Sequence, residues 1–201
     1  MIAIVDYDAG NIKSVEKALE YLGQEVVLTR DRETILNADK VILPGVGAFG
    51  VAMSKLEEYH LVDTLQDFVN TGKPFLGICL GLQLLFEESE ESPGVKGLGF
   101  LKGRIVRFPD KPGYKIPQIG WNSISIKKGS RLFEGIADES YVYFVHSYYL
   151  EAEDENIVVA TSEYAAHVHA SVEKDNIYAC QFHPEKSSEV GLRILSNFAK
   201  L

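Results

Sequence analysis

The 201-residue sequence holds only two cysteines, Cys79 and Cys180, so neither a disulfide framework nor a cysteine-built zinc site organises it. Positive charge is scarce as well: 20 lysines and arginines stand against 29 acids, a net charge of −9. That balance argues against nucleic acid or an anionic membrane as the main partner. No apolar stretch approaches the roughly 18 residues a membrane helix needs. Met1 runs straight into Ile2-Ala3-Ile4-Val5-Asp6, without the basic start and cleavage site of a secretory leader, so a cytosolic protein is expected. Repeats, low-complexity tracts and composition breaks are also missing, which favours a single domain over residues 1–201. What remains is ordinary globular composition, 46% hydrophobic and 24% charged, in a chain long enough to bury a full core.

Within that composition two textures follow one another. Residues 2–7, 25–29, 40–43 and 75–78 read as short buried strands. Residues 14–22, 32–37, 50–58 and 61–71 read as helices, the first with Val15, Ala18, Leu19 and Leu22 on one face and Gly23 as its stop. Strand alternating with helix four times implies a parallel sheet covered on both faces. From about Gly94 the strands follow one another directly, at 104–108, 123–126, 141–145, 157–161, 168–172 and 177–182. A last helix runs from Ser187 or Ser188 to Phe198. The expected fold is therefore α/β, a flavodoxin-like doubly wound and mostly parallel sheet with antiparallel strands added in the second half. Ligands of such sheets bind at the C-terminal strand ends, where Asp8, Gly45 and Cys79 fall.

Three stretches carry chemistry. In Gly77-Ile78-Cys79-Leu80-Gly81, glycines two residues either side of a cysteine let a strand turn sharply into a helix, expected over residues 82–87. A sulfur on such an elbow lies where first-turn N–H groups favour the thiolate. The same five residues also suit a small buried cysteine in a tight turn. Near the far end stands His183-Pro184-Glu185. In an extended segment residues i and i+2 face one side, so the two side chains can meet, and Pro184 biases His183 towards that conformation. Read alone it is a solvated strand end; read with the elbow it supplies a base and an orienting acid for a nucleophile. Finally, Gly45-Val46-Gly47-Ala48-Phe49-Gly50 matches the dinucleotide pattern G-x-G-x-x-G. The loop is not on the first strand, however, and the next strand ends in Cys79 rather than an acid. A source of backbone N–H groups for an oxyanion near Cys79 suits it better, together with the N–H of Leu80.

Pro44-Gly45-Val46-Gly47, the Gly77-to-Gly81 elbow and His183-Pro184-Glu185 together resemble the signatures of the triad-type (class I) glutamine amidotransferase family. Many members carry Pro-Gly-Gly in the first of these. Val46 departs from that and resembles a branch whose members serve a separate (β/α)8-barrel cyclase, as do Phe86-Glu87-Glu88-Ser89-Glu90-Glu91, Gly120-Trp121-Asn122, Tyr143-Phe144-Val145-His146-Ser147-Tyr148 and Asp8-x-Gly10-Asn11. Leu82 stands where that branch has Met, a volume-conserving exchange. The resemblance implies a glutaminase without cofactor or metal. Cys79 attacks the glutamine amide, His183 oriented by Glu185 protonates the ammonia, and Gly45, Val46, Gly47 and Leu80 hold the oxyanion. It further implies that Gln83, Glu91, His146, Ser147 and Tyr148 bind glutamine. Asn11, Trp121, Tyr143 and Lys186 would lie at the interface or ammonia passage to the barrel, where the ammonia enters an aminoimidazole-carboxamide ribonucleotide in histidine synthesis. How a partner switches the site on is open; a peptide rotation in the Gly45-Val46-Gly47 loop is one candidate.

Other readings stand beside this one: an amidotransferase for another synthase such as the pyridoxal-phosphate one, a different Cys–His hydrolase, or a scaffold that kept the fold. Trp121, the sole tryptophan, is equally suited to a core. His167-x-His169 has the spacing of two metal ligands on one strand face, but no nearby cysteine or acid cluster completes a site, and a plain strand-face pair is the better reading. Cys180 has strand parity opposite to His183 and is expected to be buried and inert. Glu87 to Glu91 make an acidic run that solvation alone explains, Glu91 excepted by the resemblance.

Overall fold

Along β1 (Ile2–Val5) successive residues serve opposite sides: Ile2 and Ile4 join one apolar cluster, Ala3 and Val5 the other. This is the pattern of a strand buried on both faces. The computed structural model, which describes residues 1–201, contains the sheet it implies. The first half supplies α1 (Ile12–Tyr21), β2 (Val26–Thr29), α2 (Arg32–Asn37), β3 (Lys40–Leu43), α3 (Phe49–Glu58), α4 (Leu61–Asn70), β4 (Phe75–Ile78) and α5 (Leu80–Leu84). The second supplies β5 (Glu88–Ser89), β6 (Gly103–Arg107), β7 (Gln118–Ile126), β8 (Ser140–His146), β9 (Tyr148–Ala152), β10 (Val158–Tyr164), β11 (Ala166–Lys174), β12 (Ile177–Cys180) and α6 (Ser188–Ala199).

Nine strands form the main sheet in the order β2-β1-β3-β4-β12-β11-β10-β7-β8. The pairs from β2 to β12 are parallel and those from β12 to β8 antiparallel. β12 therefore joins the two halves. α1 and α6 pack on one face through residues such as Val15, Leu19, Ile194 and Phe198. α2, α3 and α4 cover the other through Ile35, Phe49, Leu56, Leu65 and Phe68. A smaller sheet, β5-β6-β9, flanks the antiparallel end. No helix is long and apolar enough to cross a membrane.

The α/β fold with added antiparallel strands is the one expected; several boundaries differ for physical reasons. α1 starts two residues early, at Ile12, because Asn11 takes a left-handed conformation (φ 68°) that ends the preceding turn. α5 begins directly after Cys79 and stops at Leu84 rather than spanning 82–87. β12 ends at Cys180, so Gln181 and Phe182 leave the strand. β9 was not foreseen: Ser147 is a corner at which the chain leaves β8 and the main sheet and re-enters the smaller one against β6. The short β5 was likewise not foreseen.

Candidate active site

β4 delivers Cys79 to the C-terminal edge of the sheet beside the ends of β3 and β12. Cys79 itself adopts φ 53°, ψ −107°, a conformation unfavourable for any side-chain-bearing residue, which packing must enforce. The two glycines are what make this packing possible. A Cβ on Gly81 would lie 1.8 Å from the Leu43 carbonyl oxygen, and one on Gly77 2.8 Å from the Gly81 carbonyl oxygen. The Cys79 N–H donates to the Cys180 carbonyl at 2.8 Å, tying the elbow to β12.

β12 brings the second group. His183 is extended (φ −99°, ψ 98°), as its place before Pro184 favours, but Pro184–Lys186 form a 3-10 turn. The expected extended i, i+2 geometry is therefore replaced by a turn, and the turn brings the side chains together: His183 Nδ1 lies 2.7 Å from Glu185 Oε1. Both side chains are enclosed, 1% and 0% exposed. The backbone of His183 is clamped to β8, since its N–H donates to the Tyr143 carbonyl (2.9 Å) and Ser187 Oγ bridges the His183 carbonyl (2.6 Å) and the Tyr143 N–H (2.9 Å). Burial alone would depress the imidazolium. Interaction with the Cys79 sulfur and with the Glu185 carboxylate outweighs it and pushes His183 up to about 10. His183 Nε2 is buried without a hydrogen-bond partner, on a ring that the Cys79 sulfur nonetheless influences.

Asn11, expected at an interface, turns inward: its Nδ2 donates to Glu185 Oε1 at 2.5 Å. Glu185 Oε2 is buried without a donor. Leu80 departs further from expectation. Its N–H donates to the Gly45 carbonyl at 3.3 Å, so one of the expected oxyanion donors is occupied by the loop expected to supply the other. The loop is held in this state by Tyr7, whose hydroxyl donates to the Pro44 carbonyl at 2.6 Å and sits where a Gly45 Cβ would be. Burial, then the nearby Cys79 charge, raises the Tyr7 hydroxyl well above its ordinary range. On its outer side the loop meets the 8–11 turn, a Cβ on Gly10 falling 2.7 Å from Val46 Cγ2.

A cavity of about 300 Å³ opens at Cys79, in the size range of a small metabolite. Val46, Gly47 and Leu80 line it, and so do Gln83, Glu91, His146, Ser147 and Tyr148. Glu91 Oε2 accepts from the Phe49 N–H at the start of α3 (2.8 Å), which orients the carboxylate and leaves Oε1 for the cavity. Gln83 donates to the Tyr148 carbonyl (3.2 Å) and to Gln181 Oε1 (3.1 Å). His146 is a lining residue whose ring is not free: Nδ1 lies 2.8 Å from the Tyr148 carbonyl and Nε2 2.9 Å from Gln118 Oε1. Burial holds it neutral, with its pKa lowered to about 4. Trp121, 52% exposed, stands edge-on to Tyr143 at 6.0 Å on the outer face of β7 and β8, and Lys186 is exposed beside the triad turn.

Tyr7, Gln118, Gln181 and Ser187 contribute to this site without having been singled out in the sequence. The trace Gln181 left there is a lone amide inside the apolar run of residues 177–182. Cys180 is fully buried and its thiol is pushed well up by burial, then by the Glu185 and Cys79 charges. His167 pairs with Glu163, and His169 Nδ1 accepts the Ala152 N–H at 3.1 Å.

The model of the family described as "Glutamine amidotransferase class-I" matches residues 3–201. A Bacillus cereus protein described as imidazole glycerol phosphate synthase subunit HisH is 54% identical over 198 residues, 98% of this chain and 93% of its own. The Methanocaldococcus jannaschii protein of that description is 50% identical over 201 residues, the whole of both chains. Among solved structures, a glutamine amidotransferase superposes with a TM-score of 0.77 at 21% identity, covering 100% of this chain and 98% of its own.

Proposed function

The chain belongs to the class I glutamine amidotransferase family, and from that premise we propose that it is the glutamine-hydrolysing subunit of an imidazole glycerol phosphate synthase. It works with the cyclase subunit HisF in a cytosolic heterodimer, as one domain over residues 1–201. The observation that carries the catalytic reading is the enclosed His183–Glu185 pair, 2.7 Å apart, charged against the strained Cys79 at the floor of an amino-acid-sized cavity.

The steps follow from those groups. The Cys79 thiolate attacks Cδ of glutamine; the S–C bond forms as the carbonyl π pair moves onto oxygen. His183 gives its proton to the amide nitrogen, the C–N bond breaks, and ammonia leaves with a thioester behind. Water, deprotonated by the now neutral His183, adds to the thioester and releases glutamate and the thiolate. Glu185 keeps Nδ1–H fixed so that Nε2 always faces the sulfur. Glu91 Oε1 suits the α-ammonium of glutamine, while Gln83 and the backbone of Ser147 and Tyr148 suit its other polar groups.

With the Leu80 N–H donating to the Gly45 carbonyl, the oxyanion is short of a donor and the enzyme is at rest. Rotation of a peptide in Gly45-Val46-Gly47 would free Leu80 and bring a second N–H round, eased by Gly47, already at φ 120°. HisF would drive it by docking over Trp121, Tyr143 and Lys186, beside the 8–11 turn that touches Val46. The ammonia then passes to HisF, which makes imidazole glycerol phosphate and an aminoimidazole-carboxamide ribonucleotide.

The test is glutamate release by the chain with HisF, with and without its ribonucleotide ligand. Expected are little turnover alone, a large rise in the liganded complex, and none in Cys79→Ala although that variant still binds HisF. Activity surviving Cys79→Ala, or equal turnover with and without HisF, would overturn the reading.

A further inference from the structure

A chain of buried amides leads from β7 to the sulfur. Gln118 meets the His146 ring (2.9 Å), the ring meets the Tyr148 carbonyl (2.8 Å), that carbonyl meets Gln83 (3.2 Å), Gln83 meets Gln181 (3.1 Å), and Gln181 Nε2 reaches Cys79 Sγ at 3.7 Å. Gln118, Gln83, Gln181 and His146 are all buried. A side-chain amide carries both a donor and an acceptor, so the direction of such a chain must come from a member with only one possible role. The Tyr148 carbonyl is that member, because it can only accept.

Its neighbours are then fixed in turn. Gln83 must present its NH₂ to the carbonyl, and the second hydrogen of that group donates to Gln181. Gln181 must therefore present its oxygen to Gln83, which leaves its own NH₂ for the sulfur. On the other side the neutral His146 donates from Nδ1, so its bare Nε2 needs a donor. Gln118 supplies one once its terminal amide is turned by half a revolution from the orientation with Oε1 against the ring.

We propose that Gln181 is a catalytic residue that donates an N–H···S hydrogen bond to the Cys79 nucleophile, with Gln83 and the Tyr148 carbonyl fixing its direction. The inference rests on Cys79 being the nucleophile, as proposed above. A thiolate accepts such a bond far better than a thiol, so the donor enlarges the reactive fraction and aims the sulfur at the cavity. As the S–C bond forms, charge leaves the sulfur for the oxyanion and the bond weakens, so the gain lies in preparing the thiolate before attack.

The experiment is alkylation of Cys79 by iodoacetamide in the full-length chain between pH 5 and 10, with the labelled peptide identified by mass. For Gln181→Met, of similar size and without a donor, alkylation at pH 7 should slow about ten- to hundred-fold and the rate–pH midpoint should move upward. Gln181→Glu, which keeps the shape if Met does not fold, should shift the midpoint at least as far, because an ionised carboxylate cannot donate. A purely structural role would lower the melting temperature and leave the midpoint in place. Wild-type rates and midpoint in a folded variant of either kind would overturn the proposal. A wild-type Cys79 that resists alkylation throughout would instead overturn the nucleophile assignment, and this inference with it.

Discussion

Asn11→Gly removes a single hydrogen bond and almost nothing else. Glu185 is enclosed, with one oxygen unpaired and the other holding two donors, His183 Nδ1 at 2.7 Å and Asn11 Nδ2 at 2.5 Å. Without Asn11 the carboxylate keeps only the histidine it is meant to steer. A hydrogen bond to a buried charge is worth about 1.5 to 3 kcal/mol. In a domain of this size each kcal/mol moves the melting temperature by roughly 2 to 4 °C, so a fall of roughly 3 to 12 °C is expected. Glycine is the right substitute because Asn11 sits at φ 68°, which glycine adopts freely. Asn11→Ala should lose about 1 kcal/mol more through backbone strain alone. Turnover in the HisF complex should fall in kcat with KM nearly unchanged, because the acid acts on His183 and does not touch glutamine. The assay pairs a thermal melt with glutamate release on the same preparation. A glycine variant with wild-type melting temperature and kcat would refute the claim that Asn11 holds the acid.

Two further predictions test the frame and the pH response. Gly81→Ala places a methyl 1.8 Å from the Leu43 carbonyl, a contact between two backbones with no flexible end to yield. Destabilisation beyond about 4 kcal/mol, or insoluble protein, is expected, and a soluble variant with wild-type melting would disprove the close packing of the elbow on β3. His146 is lowered from 6.5 to about 4 by burial first, with the nearby His183 charge adding. Between these values the unfolded chain binds a proton that the folded chain refuses, so this stability is present above about pH 6.5 and lost as pH falls through 4. Urea unfolding of wild type against His146→Gln should show their stability difference changing by about 3 kcal/mol from pH 7 to pH 4. Parallel pH curves would mean the ring is not excluded from water.

The parallel half of the fold was legible because each of its strands is a short, largely apolar run, β1 closed by Asp6 and β3 by Pro44, and because helices intervene. β9 was hidden since Ser147 turns the chain between sheets without any glycine or proline to announce it. The elbow was legible for a similar reason: Gly77 and Gly81 are both required by backbone contacts, and that requirement is written as spacing. His183 and Glu185 were paired correctly on an incorrect backbone, because a 3-10 turn and a strand can both bring i and i+2 side chains together. The bond from the Leu80 N–H to the Gly45 carbonyl was not legible. It depends on which way one peptide faces, and Gly-Val-Gly accepts either orientation. Asn11 turns towards Glu185, 174 residues away, and no local pattern reports such a contact.

The place of β12 bears on how the enzyme is born. Its hairpin partner β11 directly precedes it, but its other partner, β4, lies roughly 100 residues upstream, the kind of distant pairing that forms late. Asn176 latches the hairpin turn to the first half, donating to the Val69 and Lys73 carbonyls at 2.9 and 2.8 Å. Until that hairpin forms, the β4 edge lacks its β12 partner and Cys79 lacks His183 and Gln181 beside it. On the roles proposed above, a growing chain would therefore not consume glutamine. In the same interval the unpaired β4 edge is open to pairing with other strands.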